Sequence, residues 1–224
     1  MAIEIYRPIP APIRGVLFDM DGLVLDSEKL YFRFWREASR DLGFPMSVEQ
    51  ALGMRALNRE MGRQKILEYF GPQADYAAIH ARRVLLMDAY IEEHGVELKP
   101  GIQELLDFLN SRGIRCAITS SSPMDRIEQY LHFHDLDRRF DALCSGRQVA
   151  HGKPEPDIYI FGAQSLGLKP EECLALEDAP SGILSAHRAG CVTVMVPDMD
   201  QPSEDTRRLL HGKADSLLDI ITLL

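Results

Sequence analysis

The sequence predicts an α/β protein in which a parallel, doubly wound sheet carries an inserted all-helical segment. From residue 100 onward, short apolar runs of strand type alternate with helical patterns, and this alternation is typical of parallel sheets. Residues 27–96 show only helical patterns, although a strand-like run precedes them. We therefore expect an α/β core formed by 1–26 and 99–224, and a helical domain over 27–98.

Apolar spacing and capping signals predict the elements in the first half of the chain. Residues 1–13 are expected to be a loose lead-in, and the unbroken apolar run at 14–18 suits a central strand covered on both faces. Ser27 is placed to cap a long helix, because serine is a preferred N-cap residue. Ser47 and Gln50 have the spacing of a capping box. The expected helices are 27–42, a short one from 47 to near 53, 58–70 and 75–93.

The second half of the chain alternates between strand and helix patterns. Ser122 followed by Pro123 predicts a helix start with serine as the N-cap and proline at the first position. Pro156 and Pro180 open two further helices. The expected elements are a helix over 100–110, a strand over 114–118, a helix from 122, a strand over 142–144, a helix over 156–166, a strand over 173–176, a helix over 180–190, a strand over 192–196 and a last short strand or helix over 214–224.

Composition and charge narrow the class of protein. The chain has 224 residues, of which 46% are hydrophobic and 26% charged, as in an ordinary soluble globular protein with a substantial core. The net charge of −9 argues against general affinity for nucleic acid or anionic membranes, so neither is expected as a partner. No apolar run approaches membrane-spanning length, and the first residues do not look like a signal peptide. Four cysteines without a C-x-x-C pair indicate buried reduced thiols, so we expect a cytoplasmic protein. A monomer or weak homodimer is expected.

Asp19 and Asp21 follow the first strand directly and are separated by one residue. Residues i and i+2 of a strand point to the same side, so both carboxylates are expected at the crevice where open α/β sheets bind ligands. Two close carboxylates repel each other when buried, and Mg²⁺ favours such oxygen ligands. The alternative is an ordinary turn, because Asp and Gly are common turn residues.

Two further segments carry groups suited to an anion. The second core strand ends in Thr119-Ser120-Ser121-Ser122, where a hydroxyl and backbone N–H groups ahead of a helix can bind an anion. Lys153 lies between a glycine and a proline before another helix, where it can neutralise a phosphate or a crowded carboxylate. Taken alone, a capped turn and a solvated surface charge are alternative explanations of these residues.

A second acidic pair, Glu177-Asp178, ends a later core strand, and a helix opened by Pro180 follows it. Acidic residues near a helix N-terminus are also ordinary capping residues. However, a divalent cation held between two neighbouring strands needs an acidic group at the end of each. The pair therefore predicts either a helix cap or the second half of a metal site.

Taken together and in this order, the four features resemble the four motifs of the haloacid dehalogenase superfamily: Asp19-x-Asp21, Ser120, Lys153-Pro154 and Glu177-Asp178. Three surrounding segments are most similar to its β-phosphoglucomutase-like and phosphoglycolate-phosphatase-like branch: 18–22, 152–157 and 176–183. The resemblance covers nearly the whole chain. It implies a Rossmannoid core of the haloacid dehalogenase type, with the helical segment as an α-helical cap domain.

The resemblance implies a Mg²⁺-dependent phosphatase that hydrolyses a small phosphomonoester, such as a sugar phosphate, through an aspartyl-phosphate. Asp19 would be the nucleophile, and Asp21 would protonate the leaving oxygen and then activate water. Mg²⁺ would be held by Asp19, the backbone carbonyl of Asp21 and the carboxylate of Asp178, with Glu177 in support. These roles make the chain an enzyme of the phosphoric monoester hydrolase class.

The same resemblance assigns the groups that bind the phosphate. Ser120 and the Ser121 N–H would hold the transferring phosphoryl oxygens, and Lys153 would offset the charge between nucleophile and phosphate. Either Thr119 or Ser120 fits the second motif by position. Ser120 is chosen because members of the family often show Ser-x-Ser-Pro at this point.

The helical cap is expected to select the substrate by closing over the core. The turn Gly53-Met54-Arg55 matches a substrate-facing loop of the family's cap, so Arg55, or Arg59 one helical turn on, would touch the non-transferred end of the substrate. A solvated arginine is the alternative for each, at least as well supported. Mutases of the β-phosphoglucomutase type usually carry a histidine on the first cap helix, where this chain has Tyr31. That difference favours hydrolysis. A phosphosugar mutase is the alternative enzyme, and a catalytically silent binding member of the family is the alternative without activity.

Overall fold

The chain divides into two compact units: an α/β unit formed by the chain up to Leu25 together with Leu98–Leu224, and a helical unit formed by Asp26–Glu97. The computed structural model describes residues 3–10, 12–55, 57, 59–198 and 201–224.

Seven strands of the described residues form a single sheet in the α/β unit. They are β1 (Ile3–Ile5), β2 (Gly15–Phe18), β3 (Arg115–Ser120), β4 (Ala142–Ser145), β5 (Cys173–Glu177), β6 (Val192–Met195) and β7 (Gly212–Ala214). Their order across the sheet is β1-β7-β6-β5-β2-β3-β4, and every neighbouring pair is parallel except β1 with β7. This architecture confirms the predicted α/β class.

The helices of the helical unit are α1 (Glu28–Asp41), α2 (Val48–Leu52), α3 (Arg59–Phe70) and α4 (Tyr76–His94). Those of the α/β unit are α5 (Ile102–Ser111), α6 (Met124–His132), α7 (Asp157–Ser165), α8 (Pro180–Ala189), α9 (Glu204–Arg207) and α10 (Leu217–Ile220). The start predicted for the third helix at residue 58 lies outside the described residues. Among the helices described, none combines the length and the apolar character needed to cross a lipid bilayer.

Strand β2 lies inside the sheet, between β5 and β3, and all four of its residues are buried. Its last residue, Phe18, pairs with Ile118 on β3 and with Leu176 on β5. The residues that follow these positions are therefore level with one another at the carboxyl edge of the sheet. By this register, Asp19 and Glu177 become neighbours although they are far apart in the sequence.

One face of the sheet is covered by α7 and α8, whose buried residues form an apolar cluster with those of the strands. The packing of α7 is close, because a Cβ atom added at Gly162 would lie 2.6 Å from Thr119 Cγ2 on β3. The side chain of Tyr159, one turn earlier on α7, is completely buried. The lack of a side chain at Gly162 thus allows α7 to lie directly against the strand ends.

The helical unit has an apolar core of its own. Trp35 on α1 packs against Tyr76 on α4, with 6.1 Å between the ring centroids. The fully buried residues of this core come from several helices: Ala38, Ala51, Ile66 and Ile79. The amphipathic patterns that predicted helices over this segment therefore correspond to buried helix faces.

Two elements were missed by the predictions. The lead-in was expected to be loose, but Ile3–Ile5 form β1, and Ile3 pairs with Ala214 of the last strand. The side chain of Arg7 supports this pairing by donating from Nε to the Leu210 carbonyl oxygen at 2.9 Å. No local pattern shows a strand whose partner lies at the other end of the chain, and α9 is too short for a periodic pattern.

Two of the predicted serine caps are wrong in detail. Ser27 occupies the N-cap position of α1, but it has helical backbone angles and its side chain makes no capping hydrogen bond. The hydroxyl of Ser122 donates to Asp21 at 3.1 Å, and α6 begins two residues later with Pro123 as its N-cap. Ser47, in contrast, makes the predicted capping box at the start of α2.

The chain leaves and re-enters the α/β unit at a single paired point. Leu25 forms an isolated antiparallel bridge with Leu98. One residue further, the backbone N–H of Asp26 donates to the carbonyl oxygen of Glu97 at 2.8 Å. The two connecting segments therefore lie side by side as a short ribbon.

Candidate active site

Asp19, the first residue of the candidate site, directly follows β2. Its backbone N–H donates to the Leu176 carbonyl oxygen at 3.1 Å, which continues the pairing with β5. The chain then turns sharply, because the N–H of Leu25 donates back to the Met20 carbonyl oxygen at 3.0 Å. Gly22 has a φ of +84° within this turn, a backbone conformation that favours glycine. The turn leaves Asp19 and the neighbouring Asp21 at the carboxyl edge of the sheet.

Lys153 joins the ends of β2 and β5. Its Nζ atom lies 2.5 Å from Asp19 Oδ1 and 2.6 Å from Glu177 Oε1. The Lys153 side chain is only 8% exposed, so the solvated surface charge considered as an alternative is excluded. A buried ammonium group between two carboxylates makes charge-assisted hydrogen bonds with both.

The electrostatics of the site reflect burial and crowding. Burial raises the pKa of Asp19 to about 8; Lys153 opposes this rise, while Glu177 and Asp21 add to it. Burial alone would lower the pKa of Lys153, but the attraction of Asp19 and Glu177 outweighs it and places that pKa well above its usual value. Lys153 is therefore kept as a cation, and the acidic side chains crowded around it make Asp19 harder to ionise than a carboxyl group in water.

Three carboxylates converge at this point. Asp19, Glu177 and Asp178 each place an oxygen atom within 4.8 Å of the others. An all-oxygen donor set at this spacing suits a hard divalent cation such as Mg²⁺. The raised pKa of Asp19 points the same way, because a cation among these groups would stabilise the ionised carboxylate. The residues present therefore fit the predicted metal.

Asp21 is held by a residue that the sequence analysis assigned to a different task. Ser122 Oγ lies 3.1 Å from Asp21 Oδ2 and donates a hydrogen bond to it. Ser122 is itself fixed in two ways: its N–H donates to Ser120 Oγ at 3.0 Å, and its carbonyl oxygen accepts from Ser145 Oγ at 2.6 Å. This network ties the loop after β3 to the turn after β2.

The two hydroxyls proposed for the second motif have different surroundings. Thr119 Oγ1 donates to the Phe18 carbonyl oxygen at 3.1 Å and is fully buried in the sheet. Ser120 lies one residue further along and accepts the Ser122 N–H at the very end of β3. Ser121 follows it and is exposed. Ser120 and Ser121 are thus the residues at the carboxyl edge.

Helix α8 supports the loop that carries Lys153. Ser185 Oγ, fully buried, donates to the Glu155 carbonyl oxygen at 2.5 Å. Arg188 donates to the Pro154 carbonyl oxygen at 3.2 Å and to the Glu155 carboxylate at 2.8 Å. These contacts fix the main chain on the C-terminal side of Lys153.

The same helix approaches Glu177 closely. A Cβ atom added at Gly182 would lie 1.8 Å from Glu177 Oε1, well inside any permitted contact. Glu177 is 1% exposed and is bound by Lys153, so its carboxylate has little room to move. Glycine at 182 is therefore needed for the Glu177 carboxylate to fit under α8.

Tyr159 is a further residue of the site that the sequence analysis missed. Its hydroxyl donates to Glu177 Oε1, and its ring centroid lies 5.1 Å from Lys153 Nζ. Burial raises the pKa of Tyr159 well above its usual value, and the charge of Glu177 adds to this rise, so the phenol remains a donor. In the sequence it is one apolar position of a helix, and nothing in that pattern separates it from an ordinary core residue.

The remaining predicted site residue, Arg55, belongs to the helical unit. Its Nε donates to the Leu52 carbonyl oxygen at 3.3 Å, at the end of α2. The structure thus brings together Asp19, Asp21, Lys153 and the acidic pair at one edge of the sheet, and places Arg55 in the other unit.

Comparison with known proteins identifies relatives of this chain. The family profile of the haloacid dehalogenase-like hydrolases matches residues 13–190. Hexitol phosphatase A of Escherichia coli (strain K12) is 36% identical over 188 residues, which are 82% of this chain and 82% of that protein. β-Phosphoglucomutase of Bacillus subtilis is 27% identical over 218 residues, covering 93% of this chain and 94% of that one.

A solved structure shows the same fold. The crystal structure of CbbY from Rhodobacter sphaeroides in complex with phosphate superimposes with a TM-score of 0.74 at 25% identity, over 93% of this chain and 96% of that one. Together these findings confirm the predicted superfamily branch and the predicted enzyme class, a phosphoric monoester hydrolase. The chain belongs to the haloacid dehalogenase-like hydrolase family.

Proposed function

We propose that this enzyme is a Mg²⁺-dependent phosphatase that hydrolyses a small phosphomonoester, a sugar phosphate or similar metabolite, through an aspartyl-phosphate. The observation that carries the proposal is the position of Asp19. Asp19 contacts a buried cation, Lys153, at 2.5 Å, and it has a carboxylate oxygen within 4.8 Å of oxygens of the acidic pair at the end of β5. This is the setting that a carboxylate nucleophile needs in order to approach an anionic phosphate.

In the first step, a carboxylate oxygen of Asp19 attacks the phosphorus of the substrate, and the bond between phosphorus and the ester oxygen breaks. Asp21 gives its proton to the leaving oxygen, which departs as an alcohol. Ser122 donates to Asp21 Oδ2, which orients the carboxyl group for this transfer.

In the second step, Asp21 accepts a proton from water as the water oxygen attacks phosphorus. The bond between phosphorus and Asp19 then breaks, and inorganic phosphate leaves. The Asp21 carboxyl group thus acts first as an acid and then as a base. The first step leaves it ionised, as the second step requires, and the second step returns its proton.

Lys153, Ser120 and the Ser121 N–H would bind the oxygens of the transferring phosphoryl group. Lys153 is supported in this role by its burial and by its raised pKa, which together keep a fixed positive charge beside Asp19. Ser120 is supported over Thr119, because the Thr119 hydroxyl donates to the sheet. Preorganised charge and donors of this kind supply much of the catalysis in phosphoryl transfer.

Asp19 and Asp178, with the backbone carbonyl of Asp21, would hold Mg²⁺, and Glu177 would support them. When bound, the metal would neutralise part of the charge on the phosphoryl group and on Asp19. The convergence of three carboxylates within 4.8 Å of one another supports this assignment.

The helical unit would act as the cap domain and select the substrate, with Arg55 as the candidate contact to its non-transferred end. Hexitol phosphatase A, a relative, supports a phosphorylated sugar or polyol as the substrate class. We also propose a cytoplasmic location, which the four buried free thiols support.

A phosphosugar mutase is the second candidate, because β-phosphoglucomutase is among the relatives. Tyr31 stands at the position where such mutases carry a histidine. This difference supports hydrolysis of the sugar phosphate over its isomerisation. A catalytically silent member is the third candidate, and the assembly of Asp19, Lys153 and Glu177 into one buried charged centre argues against it.

The test is a panel of phosphorylated sugars, polyols and other small metabolites with Mg²⁺, in which both released phosphate and isomerised sugar phosphate are measured. We expect phosphate release from a subset of the panel by the wild-type enzyme and none by Asp19→Asn. Isomerisation without phosphate release would establish the mutase instead. A complete lack of both products across the panel and on an aryl phosphate would establish a silent member.

A further inference from the structure

Lys153 is shared between two carboxylates that compete for it. Its Nζ atom lies 2.5 Å from Asp19 Oδ1 and 2.6 Å from Glu177 Oε1. Glu177 is the more deeply buried of the two, and burial strengthens the attraction between unlike charges. If Glu177 had only Lys153 to satisfy it, the ammonium group would be drawn toward β5 and away from the proposed nucleophile.

Tyr159 weakens the pull of Glu177 on Lys153. Its hydroxyl donates to the same oxygen, Glu177 Oε1, that accepts from Lys153. Part of the hydrogen-bonding capacity of Glu177 is therefore filled by a neutral donor. The Tyr159 ring adds a second contact, since its centroid is 5.1 Å from Lys153 Nζ, within the range of a cation–π interaction.

The backbone fixes the phenol in this place. Tyr159 lies in the first turn of α7, and its N–H donates to the Pro156 carbonyl oxygen at 3.1 Å, so it is anchored to the loop that carries Lys153. The side chain is completely buried, and the absence of a side chain at Gly162 lets this part of α7 lie against β3. These contacts hold the ring and the hydroxyl beside Lys153 and Glu177.

We propose that Tyr159 is a positioning residue that keeps the Lys153 ammonium group on Asp19 by satisfying Glu177 with a second hydrogen bond. Its role is exerted through Lys153 and Glu177, and it need not touch the substrate. This inference rests on the proposed function, because its readout is turnover at Asp19. The sequence of this region shows only a helix with a buried tyrosine, so the role follows from the geometry alone.

The test is Tyr159→Phe, which keeps the ring and removes the hydroxyl, assayed for aryl phosphate hydrolysis with Mg²⁺. We expect kcat to fall about 10-fold while KM rises by a smaller factor, about threefold or less, because a displaced Lys153 acts mainly on the nucleophile and only in part on the phosphoryl oxygens that it would bind. Tyr130→Phe is the matched control, since it removes the hydroxyl of another buried tyrosine on α6 and should leave kcat near the wild-type value.

A second variant distinguishes positioning from a general loss of packing. Tyr159→p-aminophenylalanine keeps the ring and places an N–H donor where the hydroxyl was, so kcat should return to within about threefold of wild type. The p-aminophenylalanine variant also tests the proposal if Tyr159→Phe does not fold. A crystal structure of Tyr159→Phe should show Lys153 Nζ further from Asp19 Oδ1 than in the wild-type enzyme.

Three results would overturn the proposal: an unchanged kcat in Tyr159→Phe, a kcat in the p-amino variant that stays as low as in Tyr159→Phe, or a Tyr159→Phe structure in which Lys153 keeps its distance from Asp19. These outcomes are separate from failure of the proposed function. If the wild-type enzyme itself releases no phosphate, the phosphatase assignment fails and the role of Tyr159 fails with it.

Discussion

The hydroxyl of Ser122 donates a 3.1 Å hydrogen bond to Asp21 Oδ2, which links the loop after β3 to the proposed acid and base. Ser122 has a relative exposure of 9%, so water replaces it poorly. Its hydroxyl helps to fix which way the Asp21 carboxyl points. The activity of the enzyme should therefore depend on a serine that was expected only to cap a helix.

Ser122→Ala should lower kcat about 10-fold with little change in KM, because losing a hydrogen bond of about 1–1.5 kcal/mol that orients the Asp21 carboxyl acts on the proton-transfer step. Steady-state kinetics on an aryl phosphate measures both constants. Ser111→Ala, at the exposed end of α5, is the control and should behave as wild type. A Ser122→Ala variant with the wild-type kcat would show that Asp21 is oriented without this bond.

Asp19→Asn should reduce phosphate release by about 10³-fold or more, because the amide oxygen is a poor nucleophile and forms no aspartyl-phosphate. The substitution preserves shape and removes one charge from a crowded site. Circular dichroism and the melting temperature should show that the fold is kept. Turnover retained at a tenth of the wild-type rate or more would exclude Asp19 as the nucleophile.

Chelation with EDTA should stop turnover, and added Mg²⁺ should restore it, because three carboxyl groups converge at the site and a bound cation would keep the Asp19 carboxylate ionised. Mg²⁺ should also raise the melting temperature of the wild-type enzyme, since a ligand that binds only the folded state stabilises it. Asp178→Asn should weaken both effects. Full activity after exhaustive chelation would rule out the metal.

Gly182→Ala should destabilise the protein by about 1–3 kcal/mol, the usual range for overpacking, and should also lower activity. The added methyl group would overlap the Glu177 carboxylate, which is buried and bound by Lys153. Urea unfolding measures the change. Gly152→Ala is the matched control, because a Cβ atom there meets no neighbour within 4 Å and the residue does not have a positive φ. Equal stability of the two variants would mean that Glu177 moves aside easily.

His211 should make the folding free energy depend on pH. Burial, with the charges of Arg7 and His187, lowers its pKa below the usual 6.5, and its Nδ1 accepts the Thr193 N–H at 3.1 Å. The folded state thus binds a proton less readily than the unfolded chain. The contribution is complete above pH 6.5 and is lost as the pH falls through the lower folded-state pKa.

The measurement is urea unfolding of wild type and His211→Asn between pH 8 and pH 5. The asparagine can accept the same N–H and does not titrate, so the difference in free energy of unfolding between the two proteins should shift against wild type as the pH falls. A difference that stays constant over this range would show that the pKa of His211 is not lowered by folding.

Most of the candidate site could be predicted because its residues follow strand ends, and the register of a parallel sheet brings strand ends together. Asp19 and the acidic pair were found in this way, whereas Lys153 was found from its place before a helix and from the resemblance. Lys153 contacts Asp19 and Glu177, and a carboxylate oxygen of Asp178 lies within 4.8 Å of theirs. Their assigned roles stay predictions. The fold class followed from the alternation of strands and helices, since each pattern is local.

The residues that were missed depend on contacts between distant segments. Ser122 has the sequence pattern of a helix cap, and only the position of the turn after β2 shows that its hydroxyl is used elsewhere. Tyr159 has the pattern of a core position, and only the close packing of α7 brings its hydroxyl within hydrogen-bond distance of Glu177. Strand β1 pairs with a partner at the opposite end of the chain. Periodicity carries no information about any of these pairings.

The ribbon formed by Leu25 with Leu98 and by Asp26 with Glu97 has an evolutionary consequence. Because the segment 26–97 begins and ends at paired positions, its length and sequence can change, or the whole segment can be replaced. Every strand of the sheet then keeps its neighbour. If the helical unit selects the substrate, as proposed, replacing it at this junction would change the substrate and leave the residues at the carboxyl edge of the sheet in place. Grafting the helical module of a relative between these two segments would be the laboratory version of that replacement.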